Sequence, residues 1–122
     1  MNAKIAYNES LAQKWIAAFN EHNIEHLLEL YHEEAVHFSP RLLATQPETK
    51  GQISGHPAFR SWWQGAFDRM PTLHYQLQTL IVNEDKIFME YVRSTAGETD
   101  LLVGEVLELA GEKIYRSRVL KY

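Results

Sequence analysis

After Pro71 the hydrophobic period of this chain changes for good, and that switch limits the architectures open to it. Before Pro71 apolar residues recur at helical spacing. Beyond it the chain reads as strands separated by turn signals: Thr72 to Val82, Lys86 to Ala96, Asp100 to Leu109 and Lys113 to Lys121. Asn83-Glu84-Asp85, Ala96-Gly97-Glu98-Thr99 and Ala110-Gly111-Glu112 supply the hairpin turns. Helices first and an antiparallel meander afterwards predict an α+β domain whose helices pack on one sheet face. A chain of 122 residues has room for one such core, so a single domain over 1–122 is expected.

Ahead of the switch, Ser10-Leu11-Ala12-Gln13 matches a capping box, and Leu11, Trp15, Ala18 and Phe19 share a face. A first helix is expected from there to about Asn20. Asn23 can cap a second, with Ile24, Leu27, Leu28 and Tyr31 on one stripe. Ala35 to Ser39 reads as a short strand stopped by Pro40. From Arg41 to Ser54 no period survives, which predicts a lid, a binding loop or a mobile segment. The third helix is the clearest: Pro57 suits its first turn, and Phe59, Trp62, Trp63, Ala66, Phe67 and Met70 follow at helical spacing until Pro71 ends it.

Composition removes several function classes. A formal charge of −4 gives no long-range positive field for phosphate backbones; no nucleic-acid partner and no membrane partner are expected. The absence of cysteine excludes disulfides, thiolate catalysis and Cys-ligated metal. No apolar run approaches a membrane span, and Met1 to Asn8 lacks the order of a signal peptide. A cytoplasmic location is expected. His22 and His26 are four apart but straddle a helix break and lack a third ligand, so no metal site is expected. Phosphate loops, HExxH and nucleophile elbows do not occur.

Glu105 is the first candidate for chemistry. Leu101, Val103, Leu107 and Leu109 share its face by alternation, so its carboxyl is expected to be buried and its pKa raised, as suits a general acid. The competing account is a structural ion pair with Arg93. A three-residue turn Gly97 to Thr99 would put Tyr91 opposite Glu105 and Arg93 one diagonal step away, whereas a two- or four-residue turn would face Glu90 to Glu105; the first is favoured because it puts Ile87, Met89 and Tyr91 on the apolar side. His37 alternates with Ser39 on the first strand and could carry protons near neutral pH. Trp62-Trp63 with Phe59 and Phe67 form either a stacking wall for a flat ligand or a core stripe.

Trp15-Ile16-Ala17-Ala18-Phe19-Asn20, Leu30-Tyr31-His32-Glu33-Glu34-Ala35, Gly55 opening a helix, and Gly104 to Leu109 leading to Lys113-Ile114 occur in an order that resembles the nuclear transport factor 2-like superfamily. The SnoaL-like and ketosteroid isomerase-like branches are the most similar. The resemblance implies a cone, in which a strongly curved antiparallel sheet wraps three N-terminal helices and leaves an apolar pocket open at one end. In the isomerase branch a tyrosine and a late-strand aspartic acid hold the oxyanion and an aspartate before a proline is the base; Trp15, Glu105 and Ser39 stand at those positions. Only the acid survives in kind, so the familial steroid isomerisation is not expected. The Arg and two Asp of the epoxide hydrolase branch are matched by Tyr91, Arg93 and Val119, which breaks that constellation too.

The expectation is thus a cone holding a small, largely apolar molecule. Glu105 and His37 are its candidate catalytic groups, and Trp15, Phe19, Tyr31, Ser39, Phe59, Trp62, Met89, Tyr91, Arg93 and Leu107 its binding residues. Any catalysis would be cofactor-free acid–base chemistry of isomerase, cyclase or dehydratase type; the alternative is a non-catalytic carrier or dimerisation module. A homodimer is expected because Phe88, Val92, Leu102 and Val106 make the second sheet face apolar as well.

Overall fold

The structure, a computed structural model, describes residues 2–121 without the side chain of Lys121. Helices α1 (Ala3–Asn20), α2 (Ile24–Leu30), α3 (Pro40–Thr45) and α4 (His56–Arg69) pack against a curved sheet. Its strands are β1 (Tyr31–Phe38), β2 (Gln52–Ser54), β3 (His74–Val82), β4 (Lys86–Ser94), β5 (Leu101–Ala110) and β6 (Lys113–Lys121). They lie in the order β2-β1-β6-β5-β4-β3. The α+β class and the cone are as the sequence predicts. The sheet is mixed, however, because β1 runs parallel to β6 while every other pair is antiparallel.

Helix α1 begins well ahead of Ser10. The Asn2 side chain accepts from the N–H groups of Lys4 and Ile5 and caps it there. Asn8 is buried on the core side, donating to the carbonyls of Asn83 and Glu84 in the β3–β4 turn. A polar residue at an inward position is what hid the start of this helix from the hydrophobic pattern. The α1–α2 corner is closed by His22, in the left-handed region at φ 54°. Its ring stacks on Phe67 at 4.2 Å, and Nε2 lies 2.8 Å from the Leu73 carbonyl. That placement makes His22 a corner clasp.

Tyr31 is not on the α2 stripe. It is the first residue of β1, fully buried, with Leu28 accepting the Tyr31 N–H as the helix closes. Strand β1 starts four residues before the expected Ala35 and ends at Phe38. Ser39, read as a strand residue, is the N-cap of α3 and accepts from Arg41 N–H. Pro40 stops the strand by opening that helix, where its missing N–H costs nothing.

The segment 41–54 is likewise more ordered than expected: α3, a 3-10 turn at Pro47–Thr49 and β2 bind it back onto β1. Gly51 makes the return possible. It stands at φ +83°, and a Cβ there would meet the Phe38 ring at 2.6 Å. Short elements of six, three and three residues are too brief to show a period. No helix among the described residues is long and apolar enough to cross a membrane.

The β4–β5 connection is longer than the three-residue turn. Residues 95–100 link the strands, so Met89, not Tyr91, lies opposite Glu105, and Arg93 pairs with Leu101. The slip is two residues, which preserves faces. Ile87, Met89, Tyr91, Val103, Glu105 and Leu107 therefore all point into the concave side, and all are buried.

Candidate functional site

The concave side holds a narrow cavity of about 50 Å³, between the sheet and the C-terminal half of α4. Phe19, Tyr31, Trp62, Trp63, Met70, Tyr75 and Val119 supply its apolar wall; His37, Arg41, Arg69, Tyr91, Arg93 and Glu105 supply polar groups. That volume takes roughly three or four waters. The aromatic wall is continuous, with Tyr75 stacked on Tyr91 at 4.3 Å and Phe19 at 4.9 Å from Tyr75.

Glu105 is 2% exposed. Tyr91 donates its phenolic proton to Glu105 Oε1 at 2.6 Å. Burial raises the carboxyl to about 7, against the lowering effect of that hydrogen bond. Arg93 does not form the competing structural ion pair with it. The guanidinium instead reaches Glu98 Oε1 at 3.3 Å and Met70 Sδ at 2.9 Å. Three residues of β4 lie between Arg93 and Met89, the residue opposite Glu105, and with Tyr91 among them the guanidinium turns to other partners.

A second polar chain lies beside the first. Trp15 Nε1 donates to Tyr31 Oη at 2.9 Å, Tyr31 is hydrogen-bonded to Ser117, and Ser117 Oγ is 2.7 Å from His37 Nδ1. An indole N–H can only donate, so Tyr31 Oη accepts at that end. Ser117 Oγ thus joins Tyr31 to His37 Nδ1, with the imidazole tautomer setting which end of the Ser117–His37 bond donates. Burial also depresses His37 to about 4, so the ring is neutral at physiological pH. His37 is then a neutral hydrogen-bond donor rather than a cation. Burial and the nearby Glu105 carboxyl raise the Tyr31 phenol, which keeps the chain protonated.

The cavity gathers Glu105, His37, Phe19, Tyr31, Trp62, Tyr91 and Arg93 from the expected set. Trp15, Ser39, Phe59, Met89 and Leu107 are buried but do not line it. Trp15 spends its N–H on Tyr31, Ser39 caps α3, and Phe59 backs Tyr31 edge-on at 5.2 Å. Ser117, Arg41, Arg69 and Tyr75 were not foreseen. Ser117 had a signal: it is a polar residue on the inward alternation of β6, two before Val119, and it is fully buried. The two arginines lie at element ends, where sequence offers no facing rule.

The arrangement combines a protonatable buried acid with polar donors in an aromatic-walled cavity. The SnoaL-like domain family matches residues 12–117. The chain belongs to this family. A SnoaL-like protein of unknown function from Burkholderia thailandensis superimposes with TM-score 0.85 at 20% identity, covering 96% of this chain and 95% of that one. A Sinorhizobium meliloti protein proposed to be a polyketide cyclase gives 0.76 at 14% identity, covering 90% and 93%. A Kribbella flavida protein proposed to be a ketosteroid isomerase gives 0.76 at 16%, covering 95% and 78%. Likeness at this identity speaks for the shared fold alone. No curated protein matches the sequence.

Proposed function

We propose that this SnoaL-like domain binds a small, largely apolar metabolite in its cone and moves a proton on it by cofactor-free acid–base chemistry. The observation that carries this reading is Glu105: buried, accepting a hydrogen bond from the Tyr91 phenol, and balanced near neutral pH. A group with a pKa near the working pH can both take and return a proton. As carboxylate it removes a proton from a carbon beside a carbonyl. The C–H electron pair moves into the enolate, whose oxygen accepts a hydrogen bond from neutral His37, and protonated Glu105 returns the proton to the same or another carbon. The step needs no electron acceptor, and it is shared by isomerase, cyclase and dehydratase types.

Deuterium uptake from D2O into a panel of small cyclic ketones, followed by proton NMR near neutral pD, tests the reading. Wild type is expected to exceed Glu105→Gln by about 100-fold or more, the scale of one general acid–base group. Exchange equal in both proteins, with the ketone still bound, assigns the cavity to the carrier reading. The small free volume favours that second reading, since a carrier or dimerisation module tolerates a pocket filled by its own side chains.

The same domain is proposed to form a homodimer through its convex sheet face. Ile81, Leu102 and Leu120 are exposed there, and Phe88, Val92 and Val106 are half-buried between them. Leu102, at 54% exposure, sits across from Val92 near the start of β5 on this face. Sedimentation at tens of micromolar should show a dimer for wild type and a monomer for Leu102→Asp, on the order of what a micromolar interface loses to one buried charge. A wild-type monomer at that concentration contradicts the interface.

A further inference from the structure

Three arginines line the cavity, and the acids that would neutralise them stand elsewhere. Arg93 is 3% exposed. Its carboxylate partner, Glu98, is 3.3 Å away with a side chain that is 45% exposed, and a hydrated carboxylate is a weak counter-charge. The nearer contact is Met70 Sδ, a poor acceptor. Arg41 and Arg69 share the cavity, and neither makes an ion pair among the described residues. The cavity's own acid, Glu105, is turned to Tyr91. The result is a surplus of positive charge facing an aromatic cleft. A buried guanidinium with so little compensation is costly unless something else completes it.

We infer that the cavity takes an organic carboxylate with a flat apolar body, its carboxylate seated on Arg93 and flanked by Arg41 and Arg69, its body against Phe19, Trp62 and Tyr75. This rests on the cavity being a ligand site and adds the charge class of the ligand. The planar two-oxygen edge of a carboxylate matches a guanidinium fork. A phosphate would call for the converging backbone N–H donors of a nest or a helix N-terminus, whereas α4 meets this cavity with its C-terminal half. Entry requires space, and exposed Arg69 and half-exposed Arg41 are the parts of the lining that can swing without disturbing the core. They then close over an anion.

Cinnamate and its neutral isostere cinnamamide, titrated calorimetrically into the full chain at pH 7, separate charge from shape. Cinnamate is expected to bind about tenfold tighter or more, a gap of at least about 1.4 kcal/mol. Arg93→Met should close the gap while leaving cinnamamide unchanged, and Arg69→Met should narrow it. Glu98→Gln removes the competing carboxylate from an exposed position and should widen the gap several-fold, which keeps the inference testable even if Arg93→Met does not fold. Equal binding of acid and amide to wild type overturns the charge class and leaves the pocket standing. Binding of neither removes the pocket, and the inference with it. Displacement of cinnamate by inorganic phosphate at comparable concentration overturns the choice of a carboxylate.

Discussion

Glu105→Gln is expected to stabilise the protein above pH 7 and to leave it nearly unchanged near pH 4.5. In the unfolded chain the carboxyl ionises near its ordinary 4.5; in the fold, burial holds the proton until about 7. Between those values the folded state binds more protons than the unfolded one, so stability falls as pH rises. At about 1.4 kcal/mol per pH unit the loss reaches about 3 kcal/mol and stays constant above 7. Glutamine cannot ionise, yet it fills nearly the same volume and still accepts from Tyr91. At pH 8 the variant should therefore melt roughly 10 °C higher than wild type.

His37 has the opposite sign. Its imidazole is depressed from 6.5 to about 4 by burial, so the unfolded chain takes the proton first as pH falls, and stability is lost from about 6.5 down to 4. In wild type the two slopes oppose each other between about 4.5 and 6.5, and the profile should be flat. Glu105→Gln should expose the histidine slope alone, rising to about pH 6.5 and level beyond. Thermal melts from pH 4.5 to 8.5 decide it. A variant that melts below wild type at pH 8 would show that the carboxylate has a cationic partner in solution, contrary to the geometry at Arg93.

This expectation depends on which face Glu105 occupies, and that much was legible in the residues. Alternation along β4 and β5 places Met89, Tyr91, Arg93 and Glu105 on one side, and a register error of two residues cannot change it. What alternation cannot fix is who stands opposite whom. That depends on the length of the 95–100 connection, where the Glu98 N–H bonds back to the Thr95 carbonyl and Thr72 Oγ accepts from Ala96 N–H. The diagonal approach of Arg93 to Glu105 that the shorter turn would have allowed, and with it the alternative of an ion pair, goes with that register. Other misses have the same character. Tyr31 fits a helical stripe as well as a strand, and only its place beside Ile114 on β6 settles the matter. The stretch 41–54 is held by contacts to β1, with Gly55 N–H on the Ala35 carbonyl and Ser39 N–H on that of Gly51, which no local pattern encodes. The Trp15–Tyr31–Ser117–His37 chain draws on three separate elements, α1, β1 and β6, so its members looked unrelated until the β1–β6 pairing joined them.

The aromatic row of α4 left two accounts open, stacking wall or core stripe, and Phe59→Ala beside Trp62→Ala should separate them. Phe59 is wholly buried, edge-on to Tyr31 at 5.2 Å and 5.4 Å from Trp63, with the His37 ring at 6.3 Å. Nothing on that side can collapse cheaply, because Tyr31 and His37 are tethered through Ser117. Truncation should cost about 3–5 kcal/mol, as for other buried phenylalanines. It should also loosen the His37 ring, which packs edge-on to Phe59. Trp62 lies one residue before Trp63 on the helix but half-buried, with a face on the cavity. Its loss enlarges a space already open to solvent, so about 1 kcal/mol is expected. Urea unfolding reads both values, and cinnamamide binding reads the other half of the distinction. Trp62→Ala should weaken the amide by the about 1–3 kcal/mol that a lost stacking partner is worth, while Phe59→Ala at a pH where it stays folded should retain most of that affinity. If instead Trp62→Ala destabilises as strongly as Phe59→Ala and leaves binding untouched, the row is a core stripe throughout. The wall of the cavity would then be Phe19 and Tyr75, whose tilted rings lie 4.9 Å apart.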